Sequence, residues 1–224
     1  MTKLKLDLVM KELPKVNNMG HRTYVGGNWD YTGKKQFDFM VKEGLKPNHY
    51  FLDIGCGCFR GGRFFINYLE PWHYYGIEQH QWLVDAGMKE LGAKTIEEKK
   101  IRVLVDDNFS FGLWSEVPPC FDFVLAKSVF THLTKDKIKQ CLDNIKEDLV
   151  YNKLWECPPN EDLKFYASIF VGDSKNNPKE DHDNKRFFYS IDEIKELADG
   201  WNVESLGHRG CHHQTMLKFA ICKK

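Results

Sequence analysis

An apolar run that breaks into a glycine-rich turn and then into helix-forming sequence constrains this chain most: Phe51-Leu52-Asp53-Ile54-Gly55-Cys56-Gly57-Cys58-Phe59-Arg60-Gly61-Gly62. Glycine lets the backbone turn sharply and lets a ligand approach backbone N–H groups without meeting a Cβ. A strand, such a turn and a helix start together make a place for a nucleotide-like ligand. Glu78 ends the next apolar run about 20 residues on, where an acidic side chain commonly accepts hydrogen bonds from ribose hydroxyls. The strict Gly-x-Gly-x-x-Gly pattern needs glycine at position 60. Arg60 stands there, which argues against NAD or FAD.

From Tyr50 onward, short apolar runs alternate with amphipathic segments, the signature of a parallel sheet. Strands are predicted at Tyr50–Ile54, Tyr74–Ile77, Ile101–Val105, Phe121–Leu125 and Phe165–Val171. A helix follows the glycine turn through Phe64 to Leu69, and a second carries Leu83, Val84, Met88 and Leu91 to a stop at Gly92. A third is predicted from Lys135 to Leu149, capped by Thr134, with Ile138, Leu142, Ile145 and Leu149 on one face. Ser190-x-x-Glu193 reads as a capping box starting a helix that ends near Gly200. Trp201–Leu206 and Met216–Ile221 are expected as an antiparallel edge hairpin. The irregular stretches Asp107–Pro119 and Gly172–Arg186 follow strand ends, where open α/β sheets bind ligands, and are candidates for the acceptor pocket.

The 224 residues suit one domain, with an N-terminal arm or lid and first helix over 1–49 and a binding core over 50–224. At 42% hydrophobic residues the chain can bury a core. Its 32 basic and 32 acidic residues cancel, so no overall field draws it to nucleic acid or an anionic membrane. Met1 to Leu13 alternates charged and apolar residues and lacks the long apolar stretch of a signal peptide or membrane span. The expectation is a soluble, cytoplasmic protein with no membrane insertion. Seven cysteines (Cys56, Cys58, Cys120, Cys141, Cys157, Cys211 and Cys222) form an odd set without disulfide-framework spacing and read as reduced thiols. Cys56 and Cys58 lack the second Cys or His pair of a zinc site, so a structural role is expected for both.

Leu52-Asp53-Ile54-Gly55-Cys56-Gly57 resembles the first motif of class I S-adenosylmethionine methyltransferases. Glu78 after Tyr75-Gly76-Ile77 is similar to the family's ribose-binding acid, and Asp106-Asp107-Asn108 to its adenine-contacting loop. Phe121-Asp122-Phe123-Val124-Leu125-Ala126-Lys127-Ser128-Val129-Phe130-Thr131-His132-Leu133 resembles the fourth-strand motif and the stretch after it. The resemblance runs from about Tyr50 to Ile221. It implies an α/β, Rossmann-like, doubly wound sheet of seven strands in the order 3-2-1-4-5-7-6, the last strand antiparallel, with helices on both faces. It further implies S-adenosylmethionine as cofactor, leaving as S-adenosylhomocysteine. Gly55, Cys56 and Gly57 would lie beside its methionine part, Asp53 near its amino group, Glu78 on the ribose and Asp106, Asp107 or Asn108 at the adenine. Lys127 and Ser128 complete the implied cofactor set. Phe59 and Arg60 are bulkier than the family's usual residues there; Arg60 either pairs with the cofactor carboxylate or is a solvated helix-start residue.

Methyl transfer from a sulfonium is an in-line displacement, so the enzyme aligns the acceptor and, for a hydroxyl, removes a proton. Histidine suits that task, with an unperturbed pKa of roughly 6.5. His132 is the first candidate because it follows strand four; its alternative is to cap or pack the next helix. His182, in Asp181-His182-Asp183, is the second, against a solvated charged loop. His213, with His212, sits in the final turn, lining the pocket or merely exposed. The segment His21–Asp30 is either a lid over the cofactor or a packing arm. Together with the glycine turn and Tyr74–Glu78, it resembles methyltransferases found with glycan-building enzymes. That subset implies O-methylation of a carbohydrate, a deoxyhexose such as rhamnose among the candidates, and fusion to or association with glycosyltransferases. Trp29, Trp114 and Phe188 could stack on a sugar face or lie in the core.

Balanced charge and the absence of an Asn/Asp-Pro-Pro-Tyr/Phe motif argue against a nucleic-acid substrate. Small-molecule or protein methylation and a non-catalytic cofactor-binding module remain alternatives. No metal ligand set is assigned; a divalent cation on Asp181 and Asp183 is the minority reading.

Overall fold

The computed structural model describes residues 20–111, 120–151, 159–208 and 213–222. One turn of helix, α1 (His21–Tyr24), precedes α2 (Trp29–Lys42). Next come β1 (Phe51–Ile54), α3 (Gly62–Tyr68), β2 (Tyr74–Glu78), α4 (Gln81–Leu91), α5 (Ala93–Lys99), β3 (Arg102–Val105) and β4 (Phe123–Ala126). The second half comprises α6 (Lys135–Asn144), β5 (Lys164–Val171), β6 (Phe188–Tyr189), α7 (Ile191–Leu197), β7 (Trp201–His208) and β8 (Thr215–Ile221).

The long strands lie in the order β3-β2-β1-β4-β5-β8-β7. Pairing is parallel up to β5, and β8 runs antiparallel to both β5 and β7. Counting long strands alone, this is the expected 3-2-1-4-5-7-6 sheet. The two-residue β6, which pairs in parallel with the end of β5, is an addition.

The period of two along each strand divides the core. Leu52 and Ile54, Val124 and Ala126, and Phe165, Ala167 and Ile169 face one layer, completed by Ile138, Cys141 and Leu142 of α6 and Ile194 of α7. Phe51, Phe123, Leu125 and Tyr166 face the other, under Met40 of α2, Phe65 and Ile66 of α3 and Val84 of α4. Fully buried Val124 and Leu125 are therefore both core residues, on opposite sides of one sheet.

Local chemistry sets the helix ends. The Thr134 side chain accepts from the N–H of Lys137 and starts α6 as expected. That helix does not run on to Leu149 as one α-helix; at Ile145–Val150 it widens into a π-helical turn that keeps Leu149 and Val150 buried. Gly92 ends α4 at φ 78°, and α5 begins directly after it without a buried residue. With no apolar stripe, α5 gives no periodic signal in the sequence.

Among the described residues no helix is long and apolar enough to cross a membrane. Cys56, Cys58, Cys120, Cys141 and Cys222 form no disulfide among the described residues, while Cys157 and Cys211 lie outside them.

Ser190 and Glu193 form the full capping box: Ser190 Oγ accepts from the Glu193 N–H at 3.0 Å, and Glu193 Oε2 accepts from the Ser190 N–H at 2.8 Å. Ser190→Ala is expected to cost about 1 kcal/mol. Thermal unfolding should then shift by roughly 2–4 °C.

Candidate active site

A cavity of about 590 Å³ opens at the carboxyl ends of β1 to β4. That lies within the roughly 300–1,000 Å³ usual for small-molecule and cofactor sites. The residues after each strand line it: Gly55 and Gly57 after β1, Glu78 to His80 at the end of β2, Asp106 and Asp107 after β3, Lys127 to Val129 after β4. Arg60 and His132 also line it.

The glycine turn is built for close approach. Gly55 sits at φ 67°, and a Cβ there would come within 2.5 Å of Val129 Cγ2. The N–H groups of the turn are not free for a ligand, contrary to the simplest reading of such loops. Gly55 and Cys56 donate theirs to the Ile77 carbonyl at 2.8 and 3.1 Å, and Gly57 donates to Glu78 Oε2 at 3.0 Å. The bulky Phe59 is accommodated at φ 60° and only 1% exposed, because Gly87 on α4 has no Cβ to collide with its ring. The Arg60 guanidinium donates to the carbonyls of Val25 and Gly27, tying the segment between α1 and α2 to the turn.

Glu78 is 7% exposed and takes a second backbone donor, the His80 N–H on Oε1 at 3.0 Å. Burial raises its pKa; the two backbone donors and the His80 charge work against that rise. A carboxylate has roughly four lone-pair sites. Two are used here, which leaves acceptor capacity for a pair of vicinal hydroxyls at the cavity wall.

Several predicted residues stand elsewhere. Asp53 shares the face of Phe51, so its carboxylate turns beneath the glycine turn and accepts from Tyr74 OH at 2.9 Å. Burial pushes its pKa up to about 7 against that hydrogen bond, and it does not line the cavity. Cys56 packs in the core beside Gly76. Asn108 is exposed, donating its amide to Asp107 Oδ1 at 2.7 Å, while its backbone N–H goes to Asp106 Oδ2 at 2.9 Å. Asp106 thus shapes the loop after β3, and Phe109 adds an apolar wall to the cavity. Trp29 is 9% exposed, with the Arg22 and Arg63 guanidiniums against its ring. Phe188 lies over Phe170, and Trp114 falls outside the described residues.

The three candidate bases differ in what their rings are bonded to. His132 Nδ1 lies 2.9 Å from the Lys185 carbonyl. A carbonyl only accepts, so Nδ1 carries the proton and Nε2 keeps the lone pair. His182 is the opposite case: its Nδ1 accepts from the Asn184 N–H at 3.0 Å, which commits the lone pair, and it does not line the cavity. His213 is exposed at φ 55°, away from the cavity lining, and His212 lies outside the described residues.

A cluster the sequence does not advertise lines the cavity. Asp183, in the loop after β5, accepts from His80 Nε2 at 2.9 Å, Gln79 Nε2 at 2.8 Å and Tyr24 OH at 3.0 Å. The His80 bond chiefly holds its pKa down at about 2. Asp181 caps the Thr134 N–H. Both carboxylates suggested for a cation are therefore engaged, and among the described residues no group of three or more His, Cys, Asp or Glu could hold a metal ion. Deeper in, Gln214 Oε1 accepts from Lys127 Nζ, from Ser128 Oγ at 3.0 Å and from Ser168 Oγ at 2.9 Å. Gln214 is 4% exposed, yet it lines the cavity.

The sequence matches no protein-family model and no curated protein. Solved structures do match the fold. Magnesium protoporphyrin IX methyltransferase from Synechocystis PCC 6803, with bound S-adenosylhomocysteine, aligns at TM-score 0.65 and 12% identity over 96% of this chain and 99% of that one. An S-adenosylmethionine-dependent methyltransferase from Clostridium acetobutylicum ATCC 824 aligns at 0.61 and 10%, over 93% and 98%. The glycopeptide N-methyltransferase MtfA, complexed with S-adenosylmethionine, aligns at 0.61 and 13%, over 87% and 96%. This chain has the Rossmann-like fold of those methyltransferases.

Asp53 provides a pH test. A carboxyl whose folded-state pKa is raised binds an extra proton in the folded state, so its contribution to stability falls as pH rises from about 4 towards 7. Asp53→Asn should flatten that dependence by on the order of 2 kcal/mol between pH 5 and pH 8, read from urea unfolding at each pH.

Proposed function

We propose that this protein is a methyltransferase that uses S-adenosylmethionine to methylate a hydroxyl oxygen, the acceptor being a sugar of a glycan or small glycoside. The observation that carries the cofactor reading is Glu78, a buried carboxylate at the cavity wall with two lone-pair sites committed to backbone N–H groups. Its remaining capacity suits the two ribose hydroxyls of an adenosyl group. Phe109 with Asp107 offers an apolar wall and a polar acceptor for an adenine. The fold shared with methyltransferases of several substrate classes agrees with this reading.

The cofactor, when bound, supplies a methyl group on a positively charged sulfur. The chain's residues then have two tasks. His132 Nε2 would take the proton of the acceptor hydroxyl, and the resulting imidazolium would keep its Nδ1 proton on the Lys185 carbonyl. The Tyr24–His80–Asp183 contacts tie α1 to the loop after β5 beside the cavity. A sugar acceptor is favoured by the wall beyond His132, where Asn184, Arg186 and Gln214 bring side-chain donors and acceptors beside Phe170.

The test is methyl release from labelled cofactor over a panel of glycosides, small phenols and RNA, with His132→Ala alongside. Turnover should appear on a glycoside, and the variant should lose about a hundredfold or more in kcat at unchanged S-adenosylhomocysteine affinity. Unchanged turnover would remove His132 from the mechanism; lost cofactor binding would make it a structural residue.

A further inference from the structure

Lys127 lines two cavities. Beyond the cofactor cavity, a second space of about 270 Å³ lies between α2 and the sheet, floored by Leu125 and Met216. Lys35, Phe39 and Lys42 enter it from α2. Their spacing of four and three residues puts them on one face of the helix. His208, at the end of β7, closes another side. Lys35, Lys42, Lys127 and His208 thus line the space together with two carboxylates, Asp38 and Glu43, both of which have partners. Asp38 pairs with Lys34, and Glu43 Oε2 accepts from Tyr166 OH at 3.0 Å.

We propose that this cavity seats a phosphate group carried by the acceptor, so that the substrate is a phosphorylated sugar whose reacting hydroxyl lies on the cofactor side of Lys127. The inference rests on the sugar-methyltransferase reading. The basic residues here are lysine and histidine without arginine. Lysine recognises phosphate as a point charge. Size agrees as well. At roughly 30 Å³ per water, the space equals about nine waters, enough for a phosphate and part of the ring bearing it. Phe39 and Met216 offer that ring apolar surface, and Thr32 and Gln36 offer it hydrogen bonds. Lys127 joins the two spaces, since its Nζ donates to Gln214 Oε1 at the wall of the cofactor cavity.

The experiment is calorimetric titration of the full chain, saturated with S-adenosylhomocysteine, with rhamnose 1-phosphate and with rhamnose, repeated for the double variant Lys35→Gln/Lys42→Gln. Both lysines are exposed, so the variant should fold. The phosphorylated sugar should bind at least tenfold more tightly than the free sugar, with a preference that weakens as salt is added. The double variant should lose most of that preference at unchanged S-adenosylhomocysteine affinity. Equal binding of the two sugars, no binding of the phosphorylated one, or a preference that survives in the variant overturns the inference. Failure of S-adenosylhomocysteine itself to bind overturns the methyltransferase reading instead, and that titration is read first.

Discussion

Glu78 joins the parts of this site to one another. Its carboxylate accepts the N–H of Gly57 from the turn after β1 and the N–H of His80 from the start of the next segment. A buried carboxylate is costly unless hydrogen-bonded, and these two donors offset that cost. In satisfying it they fix the glycine turn against the end of β2 and place His80 where Asp183 can reach it. The glycine turn and the Asp183 cluster are thus connected through one side chain.

Asp183 gathers Gln79, His80 and Tyr24 from two distant segments, and Arg60 ties the carbonyls of Val25 and Gly27 back to the glycine turn. His21 and Arg22 both bond Glu90 at the far end of α4. The segment before α2 is therefore held by charge-assisted contacts and by the packing of Tyr24 and Val25 against Trp82 and Leu83. Charge-assisted contacts of this kind are stronger than neutral hydrogen bonds.

Much of the fold is legible in the sequence because its signals are local. Alternating apolar runs and the Thr134 and Ser190 caps mark the strands and the helix starts. Gly55, Gly57 and Glu78 are legible because a turn and a strand end can be read from neighbouring residues. Asp53 stands away from the expected place beside the cofactor for a reason the sequence also carries: a strand alternates, so a residue two after Phe51 must share its face and turn away from the cavity. The clusters around Asp183 and Gln214 are not legible. Their partners lie 46 to 159 residues apart, and only the folded sheet brings them together. α5 and β6 give no sequence signal because one buries nothing and the other is two residues long.

The most direct measurement is calorimetric titration of S-adenosylhomocysteine into the wild-type chain and into Glu78→Gln. One site per chain is expected in the wild type and at least tenfold weaker binding in the variant, since an amide in place of the carboxylate offers one acceptor oxygen where two now serve Gly57 and His80 and would serve a ribose. No binding to the wild type, or equal binding to both, would contradict it.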